Sequence, residues 1–582
     1  DDEPVATTVT YDNPGTSPLD LDLSLDVRDA TGTPAVDGMF TVSPARLTVP
    51  PGGSAPATLT IDTTGAGPDG LYGGALTATG ESGRVTVRTP IGVTKEVESY
   101  DVTVEVKDHG GAPTDLYSLR FVDVDQPQAH LPYDPSGTVV ARLPAGEYFV
   151  NADVSTDHGD RFESTAAIEP TFAVIGDATL VVDAREGRPV GVTVDERDAG
   201  TGEAFVSFDR LTAWGDTGIT YGLGNFDDFR VRPSDTRAPA GQFTFAVRAL
   251  LARRDDDGGF VGSPYLYHVR WAQDRKVPGR LVRHVADRGL AVVTSTHAAA
   301  SASTTGVRDG VVTVPVPGAL IERYTPGIPW TSTFSGEEGE TVQVDVADRT
   351  FRRGGHYEER WNGAVFGPAD PSAAPLVQRA QDELLAEVPL FSDQDPNHIG
   401  FSATDTGSTT LHRDGDLIGE SPEPGYGLFR VPAGEGTYRL ATSATRSVAE
   451  LSTRVDVAWT FRSGHADGDG DEPVALPIMG IRFAPRLDDH NRAPSGRRFS
   501  FPVEVRRRAD AELGTLSSLT VDVSYDDGRT WRRAPLVGSG DERTVDVRHP
   551  RGAGYVSLRA CATDSAGNRV EQTIIHAYAI AG

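Results

Sequence analysis

Apolar residues in this chain recur at every second position, in short runs that end at glycine or proline. The plainest run is 19–27, where Leu19, Leu21, Leu23, Leu25 and Val27 alternate with Asp20, Asp22, Ser24 and Asp26. A period of two places one face of an extended strand in a core and the other in water. Val102, Val104 and Val106 repeat the pattern, as do Leu519, Val521 and Val523, and Val455, Val457, Trp459 and Phe461. The 64 glycines and 40 prolines among 582 residues demand frequent turns, which favours many short strands over long helices. The expected fold class is all-β, a string of β-sandwich domains. One segment departs from the pattern. Leu376, Ala380, Leu384 and Val388 fall at near-helical spacing and Pro375 suits a first turn, which predicts one helix inserted at 375–388.

A length of 582 residues corresponds to about four domains of ~150 residues. The strand and turn signals divide the chain into a sandwich at 1–94, a second at 95–190, a large β domain at 191–473 and a last sandwich at 474–582. The third is read as one two-sheet domain or as two fused ones split near 330. A phrase recurs at Pro144-Ala145-Gly146, Pro239-Ala240-Gly241 and Pro432-Ala433-Gly434, each followed within a few residues by an aromatic that opens the next strand. It reads as a turn that returns the chain into a hairpin.

The formal net charge is −30, and an acidic surface repels phosphate backbones, which argues against nucleic-acid binding. No apolar run reaches 18 residues, so no membrane span is expected. Cys561 is the single cysteine and cannot form a disulfide within the chain; it is read as a small core residue of its strand. The chain opens Asp1-Asp2-Glu3-Pro4 and enters a strand at once, like an inter-domain linker of something longer.

The segment 549–578 closes the chain. Val556, Leu558, Ala560 and Ala562 alternate with polar residues, Asp564-Ser565-Ala566-Gly567-Asn568 turns, and Val570 to Ile575 runs back. It resembles the closing hairpin of immunoglobulin-like domains at the far end of large secreted subtilisin-like serine peptidases. The first unit, with Phe40–Pro44, Leu47–Gly53 and Gly70-Leu71-Tyr72-Gly73-Gly74, resembles the fibronectin-like domains that follow the catalytic domain in cell-envelope subtilases. The Pro-Ala-Gly phrase resembles turns of transthyretin-like regulatory domains, here in 95–190. The resemblance implies a secreted, non-catalytic C-terminal accessory region. Its partners would be a subtilisin-like catalytic domain, from the same precursor or a separate chain, and protein substrates.

Catalysis in that family needs Ser, His and Asp in recognisable settings. Gly15-Thr16-Ser17 is followed by Pro18 and a strand rather than a helix, His158-Gly159 lies in a polar run, and Asp405-Thr406-Gly407-Ser408 reads as a turn. The expectation is that this chain carries no catalytic centre of its own. Ser524, Asp526, Gly528, Thr530 and Trp531 match an Asp-box, a hairpin device of glycan-handling proteins that shapes a turn. Asp467, Asp469, Asp471 and Glu472 place carboxylates on one loop and are calcium candidates, against the simpler reading of a solvated acidic linker; Ile478 stands where an EF-hand needs Glu. His398 reads as part of a polar turn beyond the helix. Two other functions stay open: a surface adhesin or glycan-binding protein using Trp214, Trp271, Trp330 or Trp361, and a calcium-stabilised structural protein.

Overall fold

The alternation at 19–27 forms the strand Leu19–Asp29, and Leu21, Leu23 and Val27 point into a core with Val49, Leu59, Tyr72 and Leu76. The computed structural model describes residues 3–302, 304–466, 473–508 and 513–582. In the first sandwich, a three-stranded sheet (Val5–Asp12, Ser54–Ile61, Phe40–Ser43) faces a four-stranded one (Arg46–Val49, Leu19–Asp29, Gly70–Gly80, Val85–Lys95).

The second sandwich pairs Thr138–Pro144, Ser99–Lys107 and Ala178–Asp183 opposite a six-stranded sheet centred on Gly146–Asp157 and Phe162–Val174. That larger sheet also takes in Phe229–Arg232, parallel to Phe162–Val174. Its face packs on the next sheet through one core shared by Val122, Phe149, Phe208 and Phe245. The Pro-Ala-Gly phrase at 144–146 does not close a hairpin. Thr138–Pro144 belongs to one sheet and Gly146–Asp157 to the other, so the chain crosses the sandwich there. The Tyr148 hydroxyl donates to the Pro144 carbonyl at 2.9 Å and fixes the corner.

A seven-stranded sheet runs from Gly215–Leu223 through Tyr265–Asp274, Gly318–Tyr324 and Ala291–His297 to His356–Trp361. A five-stranded sheet holds Thr305–Arg308, Thr333–Gly336, Val342–Asp345 and, at its edge, His398–Phe401. Leu250, Leu266, Val314, Phe334 and Trp361 form the core shared by these two sheets. The last part of the chain is built on a nine-stranded sheet in which Arg454–Ser463 lies beside Arg569–Ile580. Two four-stranded sheets add to it, and one continuous core runs from Ala300 to Ile580.

Among the described residues there is no α-helix, only single 3-10 turns at Glu81–Gly83, Ala184–Glu186, Asp287–Gly289 and Glu337–Gly339. The helix expected at 375–388 is instead a hairpin of Val377–Ala380 and Glu383–Glu387, with Val377 opposite Ala386 and Gln381 at a positive φ of 49° in the turn. A spacing of four is a multiple of two, so Leu384 and Val388 lie on one face of a strand as readily as on one face of a helix. Arg379 decides between the two. It is fully buried and donates to the Gln381 and Pro432 carbonyls at 2.8 and 2.9 Å. Cys561 also departs from expectation. Ala560 and Ala562 fill the core, while Cys561 lies half-buried on the opposite face of the strand, as strict alternation requires.

Candidate functional site

The calcium candidates Asp467, Asp469, Asp471 and Glu472 lie outside the described residues. The three triad-like phrases stand in separate parts of the fold. Ser17 precedes Leu19–Asp29, His158 turns between Gly146–Asp157 and Phe162–Val174, and Asp405 precedes Thr406–Arg413 and accepts from the Ser447 hydroxyl at 2.9 Å. A hydroxyl, an imidazole and a carboxylate do line up elsewhere. Thr193 Oγ1 is 3.2 Å from His284 Nδ1, and His284 Nε2 is 2.9 Å from Asp195 Oδ1. Thr193 and His284 are register partners on two short parallel strands. Thr193 is exposed and the other two are about half exposed, so water competes for each bond. Acyl transfer needs the hydroxyl sheltered beside amide donors.

The Asp-box forms the turn its residues suggest. Asp526 accepts from the Thr530 hydroxyl and amide at 2.6 and 2.8 Å, and these bonds with Ser524 hold its carboxyl down at about 2. Of the four candidate tryptophans, Trp271, Trp330 and Trp361 are buried; Trp214 is 39% exposed and donates to the Asp123 carbonyl.

Two built features remain. The first is a layer of charge sealed between the seven- and five-stranded sheets. Arg308, at the end of Thr305–Arg308, is fully buried. Its Nε donates to Glu322 Oε1 at 2.9 Å, its Nη1 to the Thr333 carbonyl at 2.7 Å, and its guanidinium lies 4.2 Å from the Trp361 ring centre. Glu322 Oε2 accepts from the Tyr324 hydroxyl at 2.7 Å and stands 2.9 Å from His268 Nε2. Burial alone would raise the Glu322 carboxyl, but Arg308 and His268 outweigh it and hold it well below the usual range. Trp361 also stacks on His398, with ring centres 3.9 Å apart. His398 is therefore not in a polar turn; it opens the edge strand and is 1% exposed. Asp393 sits 3.0 Å from its Nδ1 and Asp345 3.6 Å from its Nε2. Burial opposes protonation of this imidazole, yet Asp393, Asp395 and Asp345 outweigh it and raise its pKa.

The second feature is open to solvent. The hairpin of 377–387, the edge strand His398–Phe401 and the loop Pro424–Tyr426 enclose a groove of about 640 Å³. Leu376, Val388, Leu390 and Phe391 are among its buried lining, while Phe401 and Tyr426 stand at its lips, 48% and 46% exposed. Glu387 and Glu423 supply acidic lining. Tyr426 shares an outward face with Leu428, itself 58% exposed, on the strand Tyr426–Arg430 at the edge of its sheet. Neither feature was singled out in the sequence. For the groove, the available signal was the exposed alternate face of 426–430; for the charged layer there was none, because its members come from strands far apart in the chain.

Fold and site together define a chain of packed β-sandwiches with a buried ionic layer and an apolar groove beside an edge strand. No protein-family model matches the chain and no curated protein matches it. Solved structures that align with it include the Pseudomonas aeruginosa CupB2 chaperone, at 15% identity over 28% of this chain and 91% of that one, TM-score 0.13. The Bacillus anthracis TIE protein aligns at 10% identity over 62% of this chain and 75% of its own, TM-score 0.12. A chimeric titin Z1Z2–Z1Z2 tandem aligns at 17% identity over 34% and 91%, TM-score 0.13. Scores this low carry no argument about kinship or function.

Proposed function

We propose that this chain is the non-catalytic C-terminal accessory region of a secreted subtilisin-like serine endopeptidase, and that it grips polypeptide through the groove at 374–426. The observation that carries the reading is the groove itself: about 640 Å³, with buried apolar lining, two half-exposed aromatics at its lips and an edge strand alongside. On the His398–Phe401 side Gly400 is already bonded to Phe391 and Ser392, so the edge that can take an added strand is Tyr426–Arg430, with backbone hydrogen bonds giving affinity and the apolar pocket choosing the side chains. The sequence resemblance supplies the class of partner, a catalytic domain or its protein substrate. Glu387 and Glu423 favour a segment that carries basic residues beside its apolar ones.

The test is binding of the purified chain to the catalytic domain of its precursor and, separately, to reduced unfolded casein, followed by fluorescence anisotropy. Phe401→Glu with Tyr426→Glu should weaken at least one of the two at least tenfold. Binding of neither ligand by the wild-type chain, or equal binding by the double variant, overturns the assignment of the groove. A fluorophosphonate probe should leave the isolated chain unlabelled; labelling at Thr193 would instead make the chain an enzyme.

A further inference from the structure

Three carboxylate oxygens of the buried layer have no hydrogen bond, Asp309 Oδ2, Asp345 Oδ1 and Glu359 Oε1, and the first of them faces two other ligand-type atoms. Asp309 is 8% exposed through its side chain; its Oδ1 accepts from the Thr333 amide at 2.5 Å, whereas its Oδ2 is sealed from solvent and has no hydrogen bond. An orphaned buried acceptor is destabilising, more so when charged. That oxygen is aimed at His268 Nε2, 3.5 Å away, and Glu322 Oε2 lies 2.9 Å from the same nitrogen. All three donor atoms lie within 4.8 Å of one another. We propose that His268 Nε2, Asp309 Oδ2 and Glu322 Oε2 hold one divalent transition-metal ion of the zinc class, captured as the two sheets close.

The spacing suits such an ion. Ligands about 2.05 Å from a metal and 2.9 or 3.5 Å apart subtend about 90° and about 117°, within the range of four- to six-coordinate zinc. Calcium fits poorly, because it takes six to eight oxygens at longer range and this set offers one nitrogen and two carboxylates. The outer atoms are braced as in established metal centres. Arg308 Nε holds Glu322 Oε1 at 2.9 Å, the Thr333 amide holds Asp309 Oδ1, and the Tyr324 ring lies 4.0 Å from His268 at an interplanar angle of 7°. The metal takes the lone pair of Nε2, so the ring keeps one proton, on Nδ1, and the proton lying between Nε2 and Glu322 either moves to Nδ1 or, from a doubly protonated ring, leaves to solvent. Charge allows this. Asp309, Glu322 and Glu359 face Arg308 and Arg349, three carboxylates to two guanidiniums. His398 makes the contrast. Its two nearest carboxylates sit on opposite ring nitrogens, so no single ion can reach both and the ring.

The site is closed, so loading belongs to folding. The chain would be unfolded in guanidinium with a chelator, desalted, and refolded at pH 7.5 with one equivalent of zinc chloride, manganese chloride, calcium chloride or none. Metal content is read by mass spectrometry after gel filtration, and Tm by calorimetry. Chain purified from zinc-supplemented culture gives the same reading where refolding fails. The wild type should keep about one zinc per chain, little manganese and no calcium, with a higher Tm than the metal-free form. Asp309→Asn should match the Tm of the metal-free wild type and retain at least tenfold less zinc. Retention below about a tenth of an equivalent by the wild type overturns the site, as does equal retention by the variant.

Discussion

His297 and His398 sit in the same sandwich and carry opposite electrostatics. His297 is 1% exposed, stacks on Phe334 at 5.0 Å, and neither of its ring nitrogens has a hydrogen-bond partner. Burial, with Arg308 adding to it, pushes its pKa down to about 4. The folded state therefore keeps this imidazole neutral, while the unfolded chain binds a proton near pH 6.5. Below about 6.5 the unfolded state binds more protons, so the stability His297 permits is complete above that value and drains away toward pH 4. At pH 5 the loss amounts to about 2 kcal/mol. Asp345 works in the opposite direction, because burial raises its carboxyl to about 6, and its contribution falls as pH climbs from about 4 to 6. His297→Phe keeps an aromatic against Phe334 and removes the titration. Its Tm should equal or exceed that of the wild type at pH 7.5, with a lead several degrees larger at pH 5. Calorimetry at the two pH values decides; an equal offset at both would refute the assignment of the acid limb to His297.

The hairpin at 377–387 shows what a repeating pattern reveals and what it hides. Alternation reports which side of a strand a residue occupies, and on that basis the strands at 19–29, 99–107, 454–463, 516–524 and the closing pair at 554–580 were legible. Where the spacing is four, helix and strand share the signal, and the choice falls to turn chemistry and to the buried Arg379 that no pattern marks as internal. Pattern is also silent on which strands become neighbours. His268, Asp309 and Glu322 meet because Tyr265–Asp274 pairs in parallel with Gly318–Tyr324 beneath Thr305–Arg308, a fact of topology rather than of local sequence. The groove was hidden for the same reason, since its wall and lips come from 374–404 and 423–426. The turn itself can be tested. Gln381 adopts φ 49°, a conformation that costs a long side chain and suits asparagine or glycine. Because its backbone carbonyl, not its side chain, receives Arg379, Gln381→Asn should raise stability by about 0.5 kcal/mol. Chemical denaturation measures this, and a loss of stability would mean that the glutamine side chain carries an unrecognised contact.

Seams between units decide how much of the molecule stands alone. Asn491 is fully buried at one seam. Its side-chain amide donates to the Ala299 and Asn362 carbonyls at 2.9 and 3.0 Å, and its oxygen accepts from the Ala364 amide at 2.9 Å. Arg446 does the same nearby, donating to the carbonyls of Glu340 and Leu451 under the ring of Phe391. Asn491→Ala strands two carbonyls and one amide, so it should cost about 3 kcal/mol or more and open 299–302 and 361–366 to hydrogen exchange. The nine-stranded sheet makes a stronger seam. Arg454–Ser463 pairs along Arg454 to Thr460 with Arg569–Ile580, so the sheet runs on across position 473. A chain ending at 473 would keep Val455, Val457, Trp459 and Phe461 but lose both the strand beside them and the core partners Val556, Leu558 and Ile574. An unpaired edge over an uncovered apolar face is an aggregation template. The first sandwich is different, because its core draws on residues between Val9 and Val93. Residues 1–95 should therefore express as a soluble monomer with one cooperative melt, whereas 1–473 should elute as aggregate in size-exclusion chromatography with light scattering. A monomeric, cooperatively melting 1–473 would mean that the sheet at 406–463 closes without its C-terminal strands, and that the seam at 454–460 is a contact between finished domains instead of part of one.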